Sequence, residues 1–316
     1  KMANSIATAT AYGQILDEAL QRGALTRIFD NPESLGEFTG VGEVKVPKMT
    51  VQGLGSYSTT NGFTSGDIAL SYETRTISQR RARKLSLDKI VNAQTFDKAF
   101  AFAAGQFIRT QVVPEVDAYR IATLHTNAAN KVSANLDKTT IAEAITLGEA
   151  AMSEAQVAME NRVLLITPTK ARDLEASEGF VRNVAVSNSG DMKDVSYHIG
   201  TFNGMKVIQV PQARMYTGIT LLDGSTSGQE AGGYIKTAAT GKNINFMIVH
   251  VPSALGVVKT EEMRIFAPTS ADAMSMPGVA GVTQGKLAWE MDFTIYHDIF
   301  TEDNKVAGIY SHYATT

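Results

Sequence analysis

Two runs of alternating apolar residues on either side of Asn61-Gly62 constrain the fold more than any other part of the sequence. An Asn-Gly pair between two strand-like runs is a strong signal for a β-hairpin. Because both runs are long, the pattern predicts an extended two-stranded arm. Its apolar positions are Val44, Val46, Met49, Val51 and Leu54 before the turn, and Ile68, Leu70 and Tyr72 after it.

The tip of the predicted arm is too polar to form a core. From residue 57 to residue 66, Tyr57 and Phe63 are the large apolar side chains, and hydroxyl residues and glycines surround them. An isolated two-stranded hairpin is marginally stable in water, so we expect the arm to lie against another surface. That surface could belong to the same chain or to a neighbouring subunit, and the pattern leaves both alternatives open.

A cluster of basic residues follows the arm and consists of Arg75, Arg80, Arg81, Arg83 and Lys84. Such a run is usually a solvated face, although it could pair with carboxylates of another chain or lie near phosphate. Leu85, Leu87 and Ile90 then lead into a predicted helix.

The predicted helix carries one apolar stripe. Phe96, Phe100, Ala103 and Phe107 recur at helical spacing and therefore share a face. Pro114 either kinks this helix or begins a new one, because proline lacks a backbone N–H but is favoured at the first helical position.

The middle of the chain has the pattern of a compact α/β subdomain. Thr140 and Glu143 have the spacing of a capping box, which predicts a helix there. Val163 to Ile166 is an unbroken apolar run that predicts a buried strand, and Thr167-Pro168 should cap the next helix. Val207 to Val210 predicts a further strand.

The last part of the chain returns to strand character. One face of the predicted strand carries Leu287, Trp289, Met291, Phe293 and Ile295. We expect this face to pack on the helix with Phe96 and Phe107, which would join two distant pieces of chain in one subdomain.

Composition excludes several classes of protein. With 29 basic and 32 acidic side chains the net charge is -3, which argues against a protein that grips nucleic acid through a broad basic surface. The absence of cysteine excludes disulfides, thiolate metal sites and a Cys nucleophile. The longest nearly apolar run, Phe246 to Val258, is shorter than the roughly 20 residues of a membrane span. The opening Lys1-Met2 lacks the apolar segment of a signal peptide.

No set of residues has the spacing of an active site. Gly281 to Lys286 approaches a phosphate-binding loop, but one residue is missing between the glycines and Leu287 stands where Ser or Thr should hold magnesium. His297 and Asp298 are neighbours on a strand and should face opposite ways, so we expect a structural hydrogen bond there and no metal. Glu290 and Asp292 should pair with Lys259 or with an arginine of another subunit. We therefore expect neither an enzyme nor a cofactor.

The order of arm, basic run and apolar helix, followed by Val-Val-Pro-Glu-Val-Asp-Ala-Tyr-Arg at 112–120, resembles the major capsid proteins of tailed bacteriophages. These proteins have the Hong Kong 97-type fold. The similarity continues through Leu164 to Leu174 and Ile208 to Met215, which resemble elements of the family's middle domain. Tyr296 to Tyr310 resembles its closing hairpin, so the resemblance covers most of the chain.

The resemblance implies an α+β fold with four parts. These are an N-terminal arm at 1–43, an extended hairpin loop at 44–78, a peripheral domain with a long spine helix at 79–137 and 251–316, and a central axial α/β domain at 138–250. The N-terminal arm would contain a short helix from Tyr12 to Leu25 and little core of its own.

The resemblance also implies a structural role. The chain would assemble with itself through pentamers and hexamers into an icosahedral phage head around double-stranded DNA, in the cytoplasm of a bacterial host. Scaffolding, portal and decoration proteins would be further partners, and DNA would be contacted weakly and without sequence specificity. The subunit interfaces would include Lys45, Lys48, Tyr57, Phe63, Arg75, Arg80, Arg81, Arg83 and Lys84.

Three further expectations accompany this interpretation. Some family members join subunits through covalent Lys–Asn bonds, but Lys45 and Lys48 match no such motif, so we expect a non-covalent shell. Encapsulin compartments share the architecture and enclose a cargo enzyme, which is one alternative. A cytoplasmic hydrolase with an unrecognised site in the α/β subdomain is the other.

Overall fold

A computed structural model describes residues 24–30, 43–60, 62–88, 105–177, 200–266, 288–303 and 305–315. These residues form an α+β architecture with three α-helices and four sheets. The α-helices are α1 (Val113–Asn127), α2 (Ile141–Glu154) and α3 (Pro168–Glu175). The strands are β1 (Glu43–Val51), β2 (Ile68–Thr76), β3 (Gln79–Asp88), β4 (Asn130–Ser133), β5 (Arg162–Ile166), β6 (Thr201–Phe202), β7 (Met205–Gln209), β8 (Ile219–Leu221), β9 (Tyr234–Lys236), β10 (Ile244–His250), β11 (Leu255–Phe266), β12 (Ala288–Phe300) and β13 (Ile309–Tyr313).

The predicted arm is present as a two-stranded antiparallel sheet of β1 and β2, in which Glu43 is opposite Thr76 and Val51 is opposite Ile68. The two strands pair continuously along their whole length, so the alternating pattern predicted the hairpin correctly. Asn61, from which the turn was predicted, lies outside the described residues.

A three-stranded sheet in the order β11-β12-β3 packs on a continuous helix. The described part of this helix runs from residue 105 to residue 127, and α1 is its last part. Phe107 meets Phe293 edge to face, with ring centroids 5.9 Å apart, and Met291 and Ile295 belong to the same apolar cluster. The predicted packing of the late strand on this helix is confirmed for Phe107. Phe96 lies outside the described residues.

The basic run is part of this sheet. Leu85 and Leu87, predicted to lead into a helix, belong to β3, which pairs with β12 from Gln79 to Asp88. Their alternation with Lys84 and Ser86 is the period of a strand, and that signal was available in the sequence.

The helix continues through Pro114. A π-helical turn spans Ile108–Val112, and α1 follows it directly with the proline in its first turn. Proline removes one helical hydrogen bond and its ring crowds the carbonyl four residues earlier, and the wider turn before it accommodates both effects. The helix therefore does not start anew at Pro114, and the alternative of a kink stays a prediction.

A six-stranded sheet in the order β4-β13-β10-β5-β7-β6 forms the second body of the fold. Helices α2 and α3 cover one face, where they bury Leu164 and Ile166, and α1 covers the other, where it buries Val163 and Leu165. A strand that is buried on both faces reads as a continuous apolar run, which explains the pattern of β5.

This sheet crosses the predicted domain boundaries. β4 and β13 lie in the two segments predicted for the peripheral domain, yet they pair with each other and β13 pairs with β10 of the predicted axial domain. The division into domains stays a prediction.

Helix α2 begins where it was predicted, but the predicted capping box is wrong. The side chain of Thr140 makes no N-capping hydrogen bond to the helix. Instead, Asp137 Oδ1 accepts hydrogen bonds from the backbone N–H groups of Thr139 and Thr140, at 2.9 and 3.0 Å. The carboxylate therefore organises the turn that precedes the helix, and it does so without Glu143. At the next helix Thr167 is the N-cap residue and Pro168 the first helical residue, as predicted.

The segment that precedes the arm contributes to the core. Leu25–Phe29 forms a 3₁₀ turn, and Phe29 is completely buried between α1 and the six-stranded sheet. The turn therefore packs into the core of the body, and the expectation that the N-terminal arm has little core of its own stays a prediction. The predicted helix from Tyr12 lies outside the described residues up to residue 23.

Candidate functional site

The hairpin of β1 and β2 has one continuous apolar face that no described residue covers. Met49 is directly opposite Leu70 and Val51 is opposite Ile68, so these four side chains share a face, and Tyr72 extends it. Met49 is 61% exposed, Leu70 59% and Ile68 71%. Exposed contiguous apolar surface of this kind marks an interaction site. The opposite face carries polar and small residues such as Thr50 and Ala69.

The tip of the hairpin is ordered by a tight turn. Ser58 and Gly62 exchange two backbone hydrogen bonds, with N···O distances of 3.1 and 2.8 Å. The turn brings Tyr57 and Phe63 together with ring centroids 5.2 Å apart, while both rings remain exposed. The two aromatic residues predicted for an interface therefore form one apolar knob at the end of the arm.

The C-terminal end of the hairpin is fixed by Asp298. Its carboxylate accepts hydrogen bonds from the backbone N–H of Ser78 at 2.7 Å and from the Tyr119 hydroxyl at 3.2 Å. The Ser78 and Tyr119 hydroxyls are also 2.9 Å apart. Ile77, which lies beside Ser78, is buried. These contacts join the arm to β12 and α1.

The segment at 25–30, which precedes the hairpin, is fixed by Arg120, the residue that follows Tyr119 in α1. Arg120 donates hydrogen bonds to Asp30 and to Thr26, at 2.5 and 3.2 Å. Asp117 accepts from the backbone N–H and the hydroxyl of Thr26, at 3.1 and 2.7 Å. Asp117 and Arg120 are both completely buried, and each is paired, as buried charges must be. Both residues belong to the 112–120 motif, but the sequence did not predict their buried pairing with the 25–30 segment.

The predicted interface residues of the basic run do not form one surface, because β3 alternates them between its two faces. Arg81 and Arg83 lie opposite Ile295 and Phe293, on the face toward the helix. Arg81 forms an ion pair with Glu115, with its Nε 2.5 Å from the carboxylate. Arg83 donates to the carbonyl oxygen of Glu230 at 3.2 Å.

The other predicted basic residues also have partners in their own chain. The guanidinium of Arg80 lies over the ring of Tyr296, 5.0 Å from its centroid. Lys84 pairs with Glu290 at 2.8 Å. The side chain of Lys259 lies outside the described residues, so its expected pairing with Glu290 stays a prediction. Arg75 pairs with Glu73 and Asp303, at 3.0 and 3.5 Å.

Two lysines predicted for an interface lie on the arm. Lys45 is exposed on β1, and Lys48 belongs to the same strand, although its side chain lies outside the description. Contacts of these lysines, of the two tip aromatics and of the basic run across subunit boundaries stay a prediction.

His297 lies at the centre of the junction between β3, β12 and α1. Its side chain is completely buried, and neither ring nitrogen has a hydrogen-bond partner among the described residues. The expected structural hydrogen bond is therefore not seen, and the ring packs edge to face on Tyr119 at 5.2 Å. Burial, together with the charges of Arg120 and Arg81, lowers the pKa of His297 to about 3. The imidazole is neutral near pH 7.

A cavity of about 230 Å³ lies beside this junction. It is bounded by the helix, by β3 and β12, and by the loop between β8 and β9. The lining includes Arg81, Phe107, Gln111, Glu115, Leu222, Gly233 and Phe293. Arg81 and Glu115 neutralise each other at its edge, so the cavity has no unpaired charge from this pair.

The described residues do not contain a group of three His, Cys, Asp or Glu side chains that could hold a metal ion. Within the same ranges, every helix is too short or too polar to cross a bilayer. The arrangement is rich in packing and pairing contacts, and its exposed apolar hairpin can bind another protein surface.

The α+β architecture can be compared with known proteins. No protein-family model and no curated protein matches the sequence. A chain from Mycobacterium phage Che8 is 14% identical, with a TM-score of 0.52 over 90% of this chain and 89% of that chain. A chain from Gordonia phage Cozz is 13% identical, with a TM-score of 0.56 over 86% of this chain and 81% of that chain.

A third match has a descriptive title. A chain from the asymmetric unit of the bacteriophage PhiM1 mature capsid is 10% identical, with a TM-score of 0.54 over 87% of this chain and 82% of that chain. The chain therefore has the Hong Kong 97-type fold of tailed-phage capsid proteins, as the sequence resemblance implied.

Proposed function

We propose that the chain is the major coat subunit of a tailed-phage head. In this role it assembles with copies of itself through pentamers and hexamers into an icosahedral shell around double-stranded DNA. The observation that carries the proposal is the uncovered apolar face of the hairpin, with Met49, Leu70 and Ile68 each more than half exposed, on a chain with the capsid fold. The shell forms in the cytoplasm of the host bacterium and becomes part of the virion.

The physical argument concerns what would cover this face. An apolar ribbon in water gains roughly 25 cal/mol for each Å² that another surface removes from solvent. Repeated contacts between an arm of one copy and the body of the next are heterologous, and they close into rings when the rotation between copies is favourable. Obligate assemblies bury several thousand Å² in this way. Scaffolding, portal and decoration proteins would add further contacts to the same shell.

The shell is held by non-covalent contacts in this proposal. Lys45 is exposed on the arm, but neither it nor Lys48 lies in a sequence motif for an isopeptide bond. A ladder of multimers after boiling in denaturant would contradict this part of the proposal, whereas a single band near the 33.9 kDa of one chain is expected.

Electron microscopy and light scattering of the chain expressed alone test the proposal. Closed shells, or rings of five and six copies, are the expected result. A stable monomer that also fails to assemble when it is co-expressed with a scaffolding protein would overturn it. Particles that enclose a protein cargo and exclude DNA would point instead to a bacterial compartment shell.

A further inference from the structure

Two arginines of β3 bind the tip of a second hairpin. This second hairpin consists of β8 and β9, and its tip, residues 222–233, is called the second tip below. Arg81 Nη2 donates hydrogen bonds to the carbonyl oxygens of Leu222 and Gly233, at 2.8 and 3.3 Å. Arg83 Nη2 donates to the carbonyl oxygen of Glu230 at 3.2 Å. The second tip is thus bound both where it joins β8 and β9 and within the loop itself.

The contacts depend on the shape of arginine. Arg81 donates to the carboxylate of Glu115 on α1 through Nε and Nη2, and Nη2 also donates to the two carbonyl oxygens, so one planar group joins three elements. Lysine carries a single ammonium group on a flexible stem and does not reproduce this fork.

The second tip approaches Arg83 closely. A Cβ added to Gly224 would lie 2.8 Å from Arg83 Nη1, and Gly224 also has a positive φ of 75°. Only glycine fits this position without displacing the guanidinium. Gly228 has a similar φ of 84° but has no atom within 4 Å of such a Cβ. Gly224 and Gly228 therefore have the same backbone requirement, but only Gly224 of this pair lies against the arginine.

The strand that carries both arginines continues the arm. β2 ends at Thr76 and β3 begins at Gln79, with Ser78 between them fixed by Asp298. We infer that Arg81 and Arg83 couple the two hairpins, so that the second tip moves together with the base of the arm. The coupling is a property of the single chain. Its consequence rests on the proposed function: docking of the arm on one neighbouring copy would orient the second tip toward another.

Hydrogen exchange of the full chain tests the contact from the side of the second tip. The variant Gly224→Ala should displace Arg83 and raise the exchange rates of the amides in peptides covering 222–233 about tenfold, which is the size expected for one lost hydrogen bond from a charged donor. The control Gly228→Ala has the same backbone strain and should change these rates much less. Equal rates in the two variants would overturn the inference.

Distances between the two hairpins test the coupling itself. The sequence has no cysteine, so spin labels can be placed at Thr74→Cys on β2 and Ser227→Cys on the second tip. We expect a narrow distance distribution that becomes broad in Arg81→Lys, which retains a cation for Glu115, and in Arg83→Lys. The control Arg80→Lys, on the opposite face of β3, should leave the distribution narrow.

A distribution that stays narrow in both variants would overturn the coupling, as would one that is already broad in the parent. Arg83→Lys keeps the test valid if Arg81→Lys fails to fold, because Arg83 makes only the contact to the second tip among the described hydrogen bonds. Both measurements use the unassembled chain. A negative result therefore overturns the coupling without affecting the proposed function. A chain that never assembles would overturn the proposed function and leave the coupling within the single chain unaffected.

Discussion

Arg120 forms an ion pair with Asp30 at 2.5 Å although its own side chain is completely buried. The same guanidinium donates to the hydroxyl of Thr26. Phe29, which lies between Thr26 and Asp30 in the sequence, is buried in the core. The turn at 25–29 is therefore fixed to α1 by both charge and apolar packing. A buried guanidinium is stable only while these partners remain.

Replacing Arg120 should destabilise the fold. Arg120→Met approximates the length of the side chain and removes its charge, which leaves Asp30 without its cationic partner. We expect the free energy of unfolding to fall by about 2 kcal/mol, because the hydrogen bonds of the guanidinium to Asp30 and Thr26 are lost while the half-exposed Asp30 can be hydrated. Urea unfolding measures this loss. Arg27→Met, at an exposed position of the same turn, is the control and should change stability little.

Protonation of His297 should make the fold less stable in acid. Its pKa is lowered from 6.5 to about 3 in the folded chain, so below pH 6.5 the unfolded chain binds a proton that the folded chain does not. The free energy of unfolding should therefore decrease as pH falls from 6.5 toward 3. His297 contributes about 1.4 kcal/mol per pH unit in that window.

The variant His297→Phe isolates this contribution. Phenylalanine can occupy the same apolar site against Tyr119 and has no ring nitrogen to protonate, so the slope of stability against pH should become shallower between pH 6 and 4. His125 and His312, whose pKa values burial lowers to about 4, act in the same direction and keep some slope. Parallel pH profiles for the variant and the parent would show that His297 does not titrate as described.

The apolar face of the arm should be required for assembly and dispensable for folding. Leu70→Glu places a charge in the centre of this face, whereas Ala69→Glu places it on the opposite face of the same strand. We expect Leu70→Glu to abolish particles and Ala69→Glu to retain them, with both chains unfolding at the parent's temperature. Sedimentation and thermal melts measure the two properties. Normal particles from Leu70→Glu would count against a buried role for this face.

Two helical glycines should respond to alanine with opposite sign. A Cβ at Gly148 in α2 would lie 2.8 Å from the ring of Tyr310, so Gly148→Ala should overpack the core and cost about 1–3 kcal/mol. At Gly105 the nearest atom among the described residues is the end of Arg109, 4.0 Å away, and Gly105→Ala should stabilise the helix by up to about 1 kcal/mol. Chemical denaturation of both variants checks the signs. Equal effects of the two substitutions on stability would mean that the Tyr310 ring does not limit the space at Gly148.

The parts of the fold that the sequence predicts are those with a strong local period. The apolar run Val163–Ile166 and the contact between Phe107 and Phe293 follow from strand and helix periodicity. The N-cap residue of α2, Thr140, was predicted correctly, but its capping hydrogen bond was not. Asp137 and Thr140 both have capping side chains, and only the geometry shows that Asp137 accepts the backbone N–H groups of Thr139 and Thr140.

The candidate site was harder to predict, because its contacts join residues that are far apart in the chain. The roles of Arg81 and Arg83 depend on the pairing of β3 with β12, which sets the face that each side chain occupies. The pairing register also shows that the apolar face of the arm consists of Met49, Val51 and their partners on β2. The sequence pattern did not reveal this face, because Val44 and Val46 are also apolar but lie on the opposite face of β1 from Met49 and Val51.

Tyr119 and Arg120 are adjacent in α1, and one is bound to the chain after the hairpin while the other is bound to the chain before it. Both ends of the segment that contains the arm are thus held within a single turn of helix. A segment attached in this way behaves as an insertion, whose length can change without altering the body that carries it. Replacing the segment between residues 31 and 76 by one of a different length should therefore leave the rest of the chain folded, provided that Ile77 stays in its buried cluster.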